Sequence, residues 1–422
     1  MENLIDIHIT ELKLLCNFYN KEYRFTLIEK HVINKLINEN ICNEITLNKY
    51  LFEKCKNYFD NITKKINILN NKDFFEQKSM KWHLTRQNMI TATDSGKLLS
   101  GSDSRFKEVL VKKIDKIKAQ PVSSATPLVH GNTYEDVSLK IYESRFKVKV
   151  SEYSILGSES HSYIGASPDG VITNIDYTDY NSFCRYGRLL EIKNPYSRVI
   201  DGVIKSDYYA QMQQQMFVTG LPICDFLETE IKDIRCINSS NCYDEQYQNI
   251  YEMLNDKLDT SVDGWQNKIE NKNIPVNNLN KMGLEKGVII VFKKEFPLEI
   301  EVEDNKNETI YETLNKYEIF PLSIEYDYDT IMKWIQDKKN EYHKKNYTCE
   351  EVLYWKLYKF SVITVNYDQE KFENITLPIL KNGWNKIDTF KTQKSDAEKK
   401  KFLLEHELKK NKKKANSYVI DM

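Results

Sequence analysis

The sequence predicts an α/β protein: a mixed central sheet flanked by helices, with a helical N-terminal region and an α+β C-terminal elaboration. Three observations favour this fold class. Apolar residues recur at three- and four-residue steps over 1–75, which is typical of helices. Residues 82–231 show the order two helices, four strands, helix, strand. Beyond residue 285, strand-like apolar runs alternate with helical patterns.

The elements of 82–231 can be justified one by one. A helix over 91–99 begins at a Thr cap and ends before Gly101, and a helix over 206–219 ends at Gly220 and Pro222. Alternating apolar residues predict the strands. The remaining elements in chain order are a helix over 132–146, a strand in KVKVSEYSIL, a strand–turn–strand in YIGASPDGVIT, a strand in RLLEIKN and a strand in CDFLETEI.

The C-terminal elaboration is less regular in sequence. GVIIVF (287–292) has the length of a buried strand, and Pro378 predicts a bend in a helix over 370–384. Three further elements are a polar helix near 244–258, a helix over 328–342 and a strand over 354–367.

Composition shifts divide the chain into a helical N-terminal region (1–77), a main domain (78–388) and a Lys-rich tail (389–422). The run KKNKKK at 409–414 predicts a solvated or disordered tail. Nonspecific contact with nucleic-acid phosphates is the alternative interpretation of this run.

Bulk properties exclude several classes. A hydrophobic content of 41% over 422 residues supports a sizeable core, and a net charge of −1 provides no overall attraction to nucleic acid or membrane. The eight cysteines form no CxxC pair, which argues against a zinc site. We find neither a signal peptide nor the roughly 20 apolar residues that span a bilayer. We therefore expect an intracellular protein without membrane association.

Three carboxylates and a lysine stand out. Asp169 lies in SPDG, which by itself is an ordinary turn, and Glu135 alone could be a surface residue of a helix. Glu191 and Lys193 are two apart on a predicted strand and therefore share one face. Their neighbours Leu189, Leu190 and Ile192 predict burial, which is costly for charges unless they are paired or bound to metal.

Taken together, these residues predict a magnesium site. Mg²⁺ prefers oxygen ligands, and a metal with a lysine can lower the pKa of water and neutralise a phosphoryl transition state. This chemistry suits phosphodiester hydrolysis. An ordinary hairpin with solvent-facing charges is the alternative. His130 and His161 flank the motifs and could act as a general base, although Lys193 and a metal already fill that role.

The order of these motifs resembles the lambda-exonuclease/YqaJ-like viral recombinase family of the PD-(D/E)XK nuclease superfamily. Each motif is weak by itself, but the five together, within 82–231, are specific. The matching segments are Arg86 followed by TATDS, Gly131 to Glu135, Ser167 to Gly170, Glu191 with Lys193, and YAQMQQQMFVT at 209–219.

The resemblance implies a role for each matching residue. Asp169, Glu191 and the Ile192 carbonyl would bind the principal metal, and Glu135 would hold a second ion, directly or through water. Lys193 would orient the attacking water and stabilise the developing charge. The implied cofactor is Mg²⁺, as two ions, with Mn²⁺ as an alternative.

The resemblance also implies substrate-binding residues. Arg86 with Thr91 and Thr93 would grip a DNA phosphate, and a helix N-terminus with hydroxyl groups is independently suited to anions. Thr93 replaces a Ser that the family often has. Tyr208 fits the family spacing better than Tyr209, and Gln211 is a further expected contact.

A separate expectation concerns Gln213. At about 100° per residue it shares a helix face with Tyr209, Met212 and Met216, so it should face the sheet and need a partner. We expect Gln213 to lie near the site.

The leading hypothesis is a 5′-to-3′ exonuclease that acts on double-stranded DNA in viral recombination, repair or replication. A structure-specific endonuclease on the same core is one alternative, and a catalytically inactive nucleic-acid-binding module is another. A structural interaction protein built from the helical ends is a third. A single-strand annealing protein and a homo-oligomeric ring are the implied partners, and the host cytoplasm or a viral replication site is the implied location.

Overall fold

The computed structural model describes most of the main domain and parts of the flanking regions. The described residues are 56–75, 79–115, 126–176, 179, 182, 184–233, 286–294, 315–321 and 328–420. Most of the expected N-terminal helical region, and the helix expected near 244–258, lie outside these residues.

Helices form most of the described N-terminal half and the C-terminal end. In chain order they are α1 (Lys56–Asn70), α2 (Met80–Gln87), α3 (Ala92–Leu99), α4 (Asp103–Ile114), α5 (Thr126–Phe146), α6 (Ser206–Thr219), α7 (Tyr328–His343), α8 (Gln369–Lys371), α9 (Leu377–Gln393) and α10 (Asp396–Ile420). The strands are β1 (Ile90–Thr91), β2 (Val148–Ser151), β3 (Leu156–Gly157), β4 (Ile164–Ala166), β5 (Gly170–Ile175), β6 (Leu189–Lys193), β7 (Ile223–Asp233), β8 (Lys286–Lys294), β9 (Asn315–Ile319) and β10 (Tyr347–Asn366).

The central sheet has seven described strands in the order β2-β5-β6-β7-β10-β8-β9. β6 and β7 are parallel and α6 connects them, whereas the other neighbours are antiparallel. A second sheet, in the order β1-β4-β3, is smaller. The predicted fold class, a mixed central sheet flanked by helices, is confirmed.

Helices cover both faces of the central sheet. On one face, α5 contributes Val137 and Ile141 to a core that continues through β6 and β10. On the other face, α6 contributes Met212 and Met216, which pack with residues of α1, α3 and α9. The strand β6 lies between these two cores, which explains why its side chains are buried on both faces.

The C-terminal elaboration extends the sheet through one long strand. β10 has 20 residues and pairs with β7 on one side and β8 on the other. α7 packs on β8 in a separate apolar cluster that includes Phe292 and Ile331. The strand and helix expected over 354–367 and 328–342 are therefore confirmed, with a longer strand.

The helix expected over 370–384 departs from α-helical geometry just before Pro378. A π-helical turn (Phe372–Thr376) separates α8 from α9, and the proline occupies the first turn of α9, where its missing N–H needs no partner. The tail was predicted to be solvated or disordered. Residues 396–420 form the helix α10, so disorder is not what the structure shows, although most side chains described over 396–409 are exposed. Its apolar positions explain part of this difference, since Phe402 packs against Phe390.

No helix among the described residues is both long enough and apolar enough to cross a bilayer.

A buried carboxylate fixes the start of α3. Asp94 is 1% exposed and accepts a hydrogen bond from the Thr91 hydroxyl at 2.7 Å. It also accepts one from the Thr91 backbone N–H at 3.4 Å, which is part of a capping box. Its oxygens also lie 2.8 Å from the Lys113 ammonium and 3.2 Å from that of Lys112. Burial alone would raise the pKa of Asp94, but these two lysines and the hydrogen bonds hold it well below its ordinary value.

A tight turn before β6 requires glycine. Gly187 has a φ of 74° and donates a backbone hydrogen bond to the Ile172 carbonyl at 2.8 Å. An added Cβ would lie 2.0 Å from Cγ2 of Ile62 on α1. The turn that starts β6 is therefore possible only because residue 187 has no side chain.

We predict that Gly187→Ala lowers the free energy of unfolding by about 2–4 kcal/mol, through the left-handed φ and the overlap with Ile62. Gly101→Ala is the matched control, because Gly101 has a φ of 66° with no neighbour within 4 Å. It should lose only about 1–2 kcal/mol. Equal losses in urea unfolding would contradict the packing argument.

We predict that Asp94→Asn destabilises the protein in a pH-dependent way. The pKa of Asp94 is lower in the folded than in the unfolded chain, so its contribution is present above about pH 4 and is lost as pH falls further. The variant should lose about 3 kcal/mol at pH 7, because buried Lys113 is left without its counter-ion. The difference from wild type should shrink below about pH 4.

Urea unfolding at a series of pH values checks this prediction. Asp103→Asn is the control, since Asp103 is an exposed acid paired with Lys107. It should change stability by less than about 1 kcal/mol at every pH. A difference for Asp94→Asn that does not change with pH would exclude the ionised carboxylate as the stabilising group.

Candidate metal and phosphate site

The structure places the Asp169 turn directly beside the strand β6. The backbone N–H of Ile192 donates to Oδ2 of Asp169 at 2.6 Å, and Gly170 pairs with Leu190 in the sheet. This bond joins the turn to the segment that carries Glu191 and Lys193. The predicted proximity of these three charged residues is therefore present in the fold.

Glu191 is completely buried and is satisfied by three donors. Gln211 and Gln215 donate to its two carboxylate oxygens, each at 2.6 Å. The Lys193 ammonium also donates to the carboxylate and lies 3.1 Å from the Ile192 carbonyl oxygen. Such complete pairing is what allows a carboxylate to persist without solvent.

Glu135 approaches the same cluster from α5. Its charge raises the pKa of both Asp169 and Lys193, so the three groups interact electrostatically. Two residues that sequence reasoning missed tie α5 to the sheet, Asn194 and Ser138. The Asn194 amide accepts from Ser138 at 2.6 Å and donates to the Gly131 carbonyl at 3.3 Å.

Negative charge exceeds positive charge in this cluster. Burial and the Glu191 carboxylate raise the pKa of Asp169 well above its ordinary value, against the opposing effects of Lys193 and the Ile192 N–H. Burial disfavours the charged form of Lys193, but Glu191 and Asp169 outweigh it and raise the pKa of the ammonium. Lys193 is therefore a cation at neutral pH.

The donor atoms suit a hard divalent cation in chemical type. Asp169, Glu191, Glu135 and the Ile192 carbonyl all offer oxygen, the ligand that Mg²⁺ prefers. Across the described ranges, however, no three His, Cys, Asp or Glu side chains are arranged to hold a metal ion as they stand. The Lys193 ammonium occupies the position against Glu191 and Ile192, so metal binding requires this ammonium to move.

The expected phosphate grip lies at the start of α3. Thr93 is exposed, whereas Thr91 is buried and its hydroxyl donates to Asp94. The two hydroxyl groups are 3.1 Å apart. Arg86 is half-buried, with its guanidinium 4.2 Å from the Trp82 ring. Thr91 therefore supports the cap, and Arg86 and Thr93 remain the groups that could reach a ligand.

Further lysines make this region positive. Lys113 donates to the Arg86 carbonyl at 2.8 Å, and Lys391 of α9 donates to the Asn88 side chain at 2.9 Å. Asp94 forms ion pairs with Lys112 and Lys113. The C-terminal elaboration thus contributes a cation next to the expected grip, which the sequence did not indicate.

The expectation for Gln213 is wrong. Its amide donates to the Asn366 carbonyl at 2.7 Å and accepts from the Asp368 N–H at 2.8 Å, so it fixes the end of β10 and does not contact the carboxylates. Gln211 and Gln215 take the place expected for it. Helix α6 is buried around most of its circumference, so an apolar stripe did not identify the face toward the site.

Gln215 was missed, although its four-residue spacing from Gln211 placed both on one face. Tyr208 lies beside the carboxylate cluster, and its expected contact with substrate stays a prediction. The Lys193 ammonium is 5.4 Å from the centre of its ring.

The two histidines do not lie against the carboxylates. The His130 ring packs edge-on against Tyr134 and Tyr196, and His161 shares a hydrogen bond with Ser160 at 2.8 Å. These contacts are structural, and neither places an imidazole against Glu191 or Asp169.

Comparisons with known proteins agree with the motif order. An uncharacterized protein of Acanthamoeba polyphaga mimivirus is 30% identical over 335 residues, which are 76% of this chain and 54% of the relative. The chain thus spans about half the length of this curated relative. An alkaline exonuclease (LHK-Exo) from Laribacter hongkongensis is 23% identical over 36% of this chain and 74% of that chain, with a TM-score of 0.30.

The structure of the same exonuclease in complex with dAMP gives 24% identity, the same coverage and a TM-score of 0.30. Residues 81–222 match the family model of the YqaJ-like viral recombinase domain. The matched range runs from α2 through α6 and contains Arg86, Glu135, Asp169, Glu191 and Lys193. Residues 81–222 of this chain are therefore similar to the YqaJ-like viral recombinase domain.

Proposed function

We propose that this protein is a Mg²⁺-dependent deoxyribonuclease that degrades duplex DNA from 5′ ends during viral recombination, repair or replication. The observation that carries the proposal is the junction of the Asp169 turn with β6, where the Ile192 N–H binds Asp169 beside Glu191 and Lys193. The YqaJ-like domain supports the same class of activity.

In this proposal Asp169, Glu191 and the Ile192 carbonyl hold the principal ion, and Glu135 holds a second one. Mg²⁺ supplies an activated water and neutralises negative charge on the phosphoryl group, with Mn²⁺ as a substitute. The donors Gln211 and Gln215 keep the Glu191 carboxylate in one orientation. Pre-oriented groups of this kind need no rearrangement when charge develops.

Lys193 acts as a cation in this scheme. Burial lowers its pKa, but Glu191 and Asp169 raise it by more, so the residue is an ammonium before the metal binds. As a cation it would orient the attacking water and stabilise the phosphoryl oxygens. A metal ion held by Glu191 and the Ile192 carbonyl would take the place of the ammonium there, which would leave Lys193 free to contact the substrate. The Tyr208 ring lies beside this ammonium.

The 5′ polarity rests on the region around Arg86 and Thr93. A guanidinium binds phosphate through paired hydrogen bonds, and an exposed hydroxyl at a helix N-terminus adds a further donor. The neighbouring lysines Lys112, Lys113 and Lys391 favour an anion there. Such a grip would hold a terminal 5′-phosphate at a fixed distance from the carboxylates.

The wider context is also part of the proposal. We propose double-stranded DNA as the substrate, and a single-strand annealing protein and a ring-shaped homo-oligomer as assembly partners implied by the family resemblance. The activity would operate inside the infected cell, in the host cytoplasm or at a viral replication site.

We predict that the protein digests linear 5′-phosphorylated duplex DNA with Mg²⁺ and leaves closed circular duplex intact. Lys193→Ala should lower the digestion rate by about 10²–10³-fold, because it removes a cation from the transition state. Lys149→Ala is the control, since this exposed lysine lies on β2 and pairs with Glu143. Its rate should equal that of wild type.

If closed circular duplex is cut as fast as linear duplex, the protein is an endonuclease and the exonuclease proposal is wrong. Absence of metal-dependent digestion of any substrate by wild type would favour a nucleic-acid-binding module. Gel assays with Mg²⁺, with Mn²⁺ and with a chelator distinguish these outcomes.

We predict that Arg86→Gln removes the preference for a 5′-phosphate. Its rate on 5′-phosphorylated linear duplex should fall about tenfold, because a charge-assisted contact is lost. The rate on 5′-hydroxyl duplex should not change, and this comparison serves as the internal control. An equal fall in the digestion rate on both substrates would show that Arg86 does not bind the 5′-phosphate.

A further inference from the structure

A second cation lies beside the same Tyr208 ring as the Lys193 ammonium, and neither the motifs nor the family match assigns it a role. Arg198 follows β6 by five residues, and its guanidinium forms an ion pair with Glu228 of β7. Glu228 stands directly opposite Lys193 in the parallel pairing of β6 and β7. The ion pair therefore lies at the same end of the sheet as the carboxylate cluster.

The two partners differ strongly in exposure. The Glu228 side chain is 1% exposed, whereas that of Arg198 is 21% exposed. A carboxylate buried in this way is costly, and pairing it with one arginine seldom gives net stability. Its second oxygen has no hydrogen-bond partner within the described part of the chain. The pair is thus poorly explained as a stabilising salt bridge.

The position of Arg198 is well fixed. Its guanidinium also donates to the Val199 carbonyl at 3.3 Å, and Ile200, two residues later, is 2% exposed in the main core. The guanidinium carbon lies 6.0 Å from the centre of the Tyr208 ring, whose centre is 5.4 Å from the Lys193 ammonium. Two cations of different segments therefore lie beside one aromatic ring.

We propose that Arg198 binds a phosphate of the substrate strand adjacent to the phosphodiester that is attacked, and that Glu228 is the positioning residue that holds its guanidinium. The inference deepens the proposed function and rests on it. A guanidinium has five N–H donors in a fixed plane, so the contacts to Glu228 and Val199 leave donors for a phosphate. With Lys193, it would hold successive phosphates of one strand.

A purely structural role for the pair makes a different prediction. In that case, loss of Arg198 would lower the stability of the protein but would not alter how DNA binding depends on salt. Each phosphate contact adds about 0.9 to the slope of log affinity against log salt for duplex DNA. The salt dependence of binding therefore separates the two roles.

The test measures binding of a short 5′-phosphorylated duplex by fluorescence anisotropy, with a chelator present and at several salt concentrations. Arg198→Gln should weaken binding about tenfold at low salt and reduce the slope by about 0.9. Arg198→Lys should restore the slope but not the full affinity, because lysine keeps the charge and loses the planar fork. Glu228→Gln should weaken binding with little change in slope, since the guanidinium remains but is less firmly held.

Lys345→Gln is the control for loss of one positive charge. Lys345 is an exposed lysine after α7 that pairs with Glu341, and its variant should bind like wild type. Thermal unfolding of each variant shows whether it is folded. If Arg198→Gln is not folded, the affinity of Arg198→Lys is the test: it falls if Arg198 binds a phosphate through its planar fork, and wild-type affinity would overturn the inference.

An unchanged slope for folded Arg198→Gln would overturn the inference, as would an equal change for Lys345→Gln. Digestion assays on the same proteins separate this failure from that of the proposed function. If wild type and Arg198→Gln digest DNA equally, only the role of Arg198 is wrong. If wild type neither binds nor digests duplex DNA, the proposed function itself is wrong.

Discussion

The rest of the site depends on the satisfied burial of one carboxylate. Glu191 has no solvent access, and its oxygens are bound by Gln211, Gln215 and Lys193. These donors come from β6 and from α6, the helix that connects β6 to β7. Because an unpaired buried charge is so costly, α6 must lie on the sheet in the position and rotation that bring Gln211 and Gln215 to Glu191. The same crossing brings Tyr208 beside Lys193 and anchors the end of β10 through Gln213.

The sequence was most informative where chemistry is local. Short-range geometry predicts the Pro-Asp-Gly turn and places Glu191 and Lys193 on one face of a strand. The cap of α3 is similar, since its residues are adjacent in the chain. The proximity of Asp169 to that strand was expected only from the combination of motifs and the family resemblance. Their metal-binding and catalytic roles stay predictions, because geometry alone does not show turnover.

Long-range partners could not be predicted in the same way. The Gln213 expectation assumed that one face of α6 meets the core, but the helix packs against α3 and β4 as well as β6, so its polar positions are also buried. The positions of three residues depend on contacts with segments far away in the sequence: Asn194, Glu228 and Lys391. Nothing local distinguishes such residues from ordinary surface groups. The helix α10 was missed for a related reason, since its Lys-rich composition concealed the packing of Phe402.

The long strand β10 has a consequence for how the chain folds while it is being synthesised. It pairs with the full length of β7, and its Thr364 hydroxyl donates to buried Asp225 at 3.0 Å, alongside Arg188. The residues of the YqaJ-like domain therefore leave the ribosome well before β10, the strand that pairs with β7, has been synthesised. Until residue 366 emerges, β7 is an open sheet edge, which is a template for pairing with other chains. A chaperone bound to the nascent chain would protect that edge. Folding of β7 only after the whole chain has been released, in one cooperative step with β10, would protect it as well.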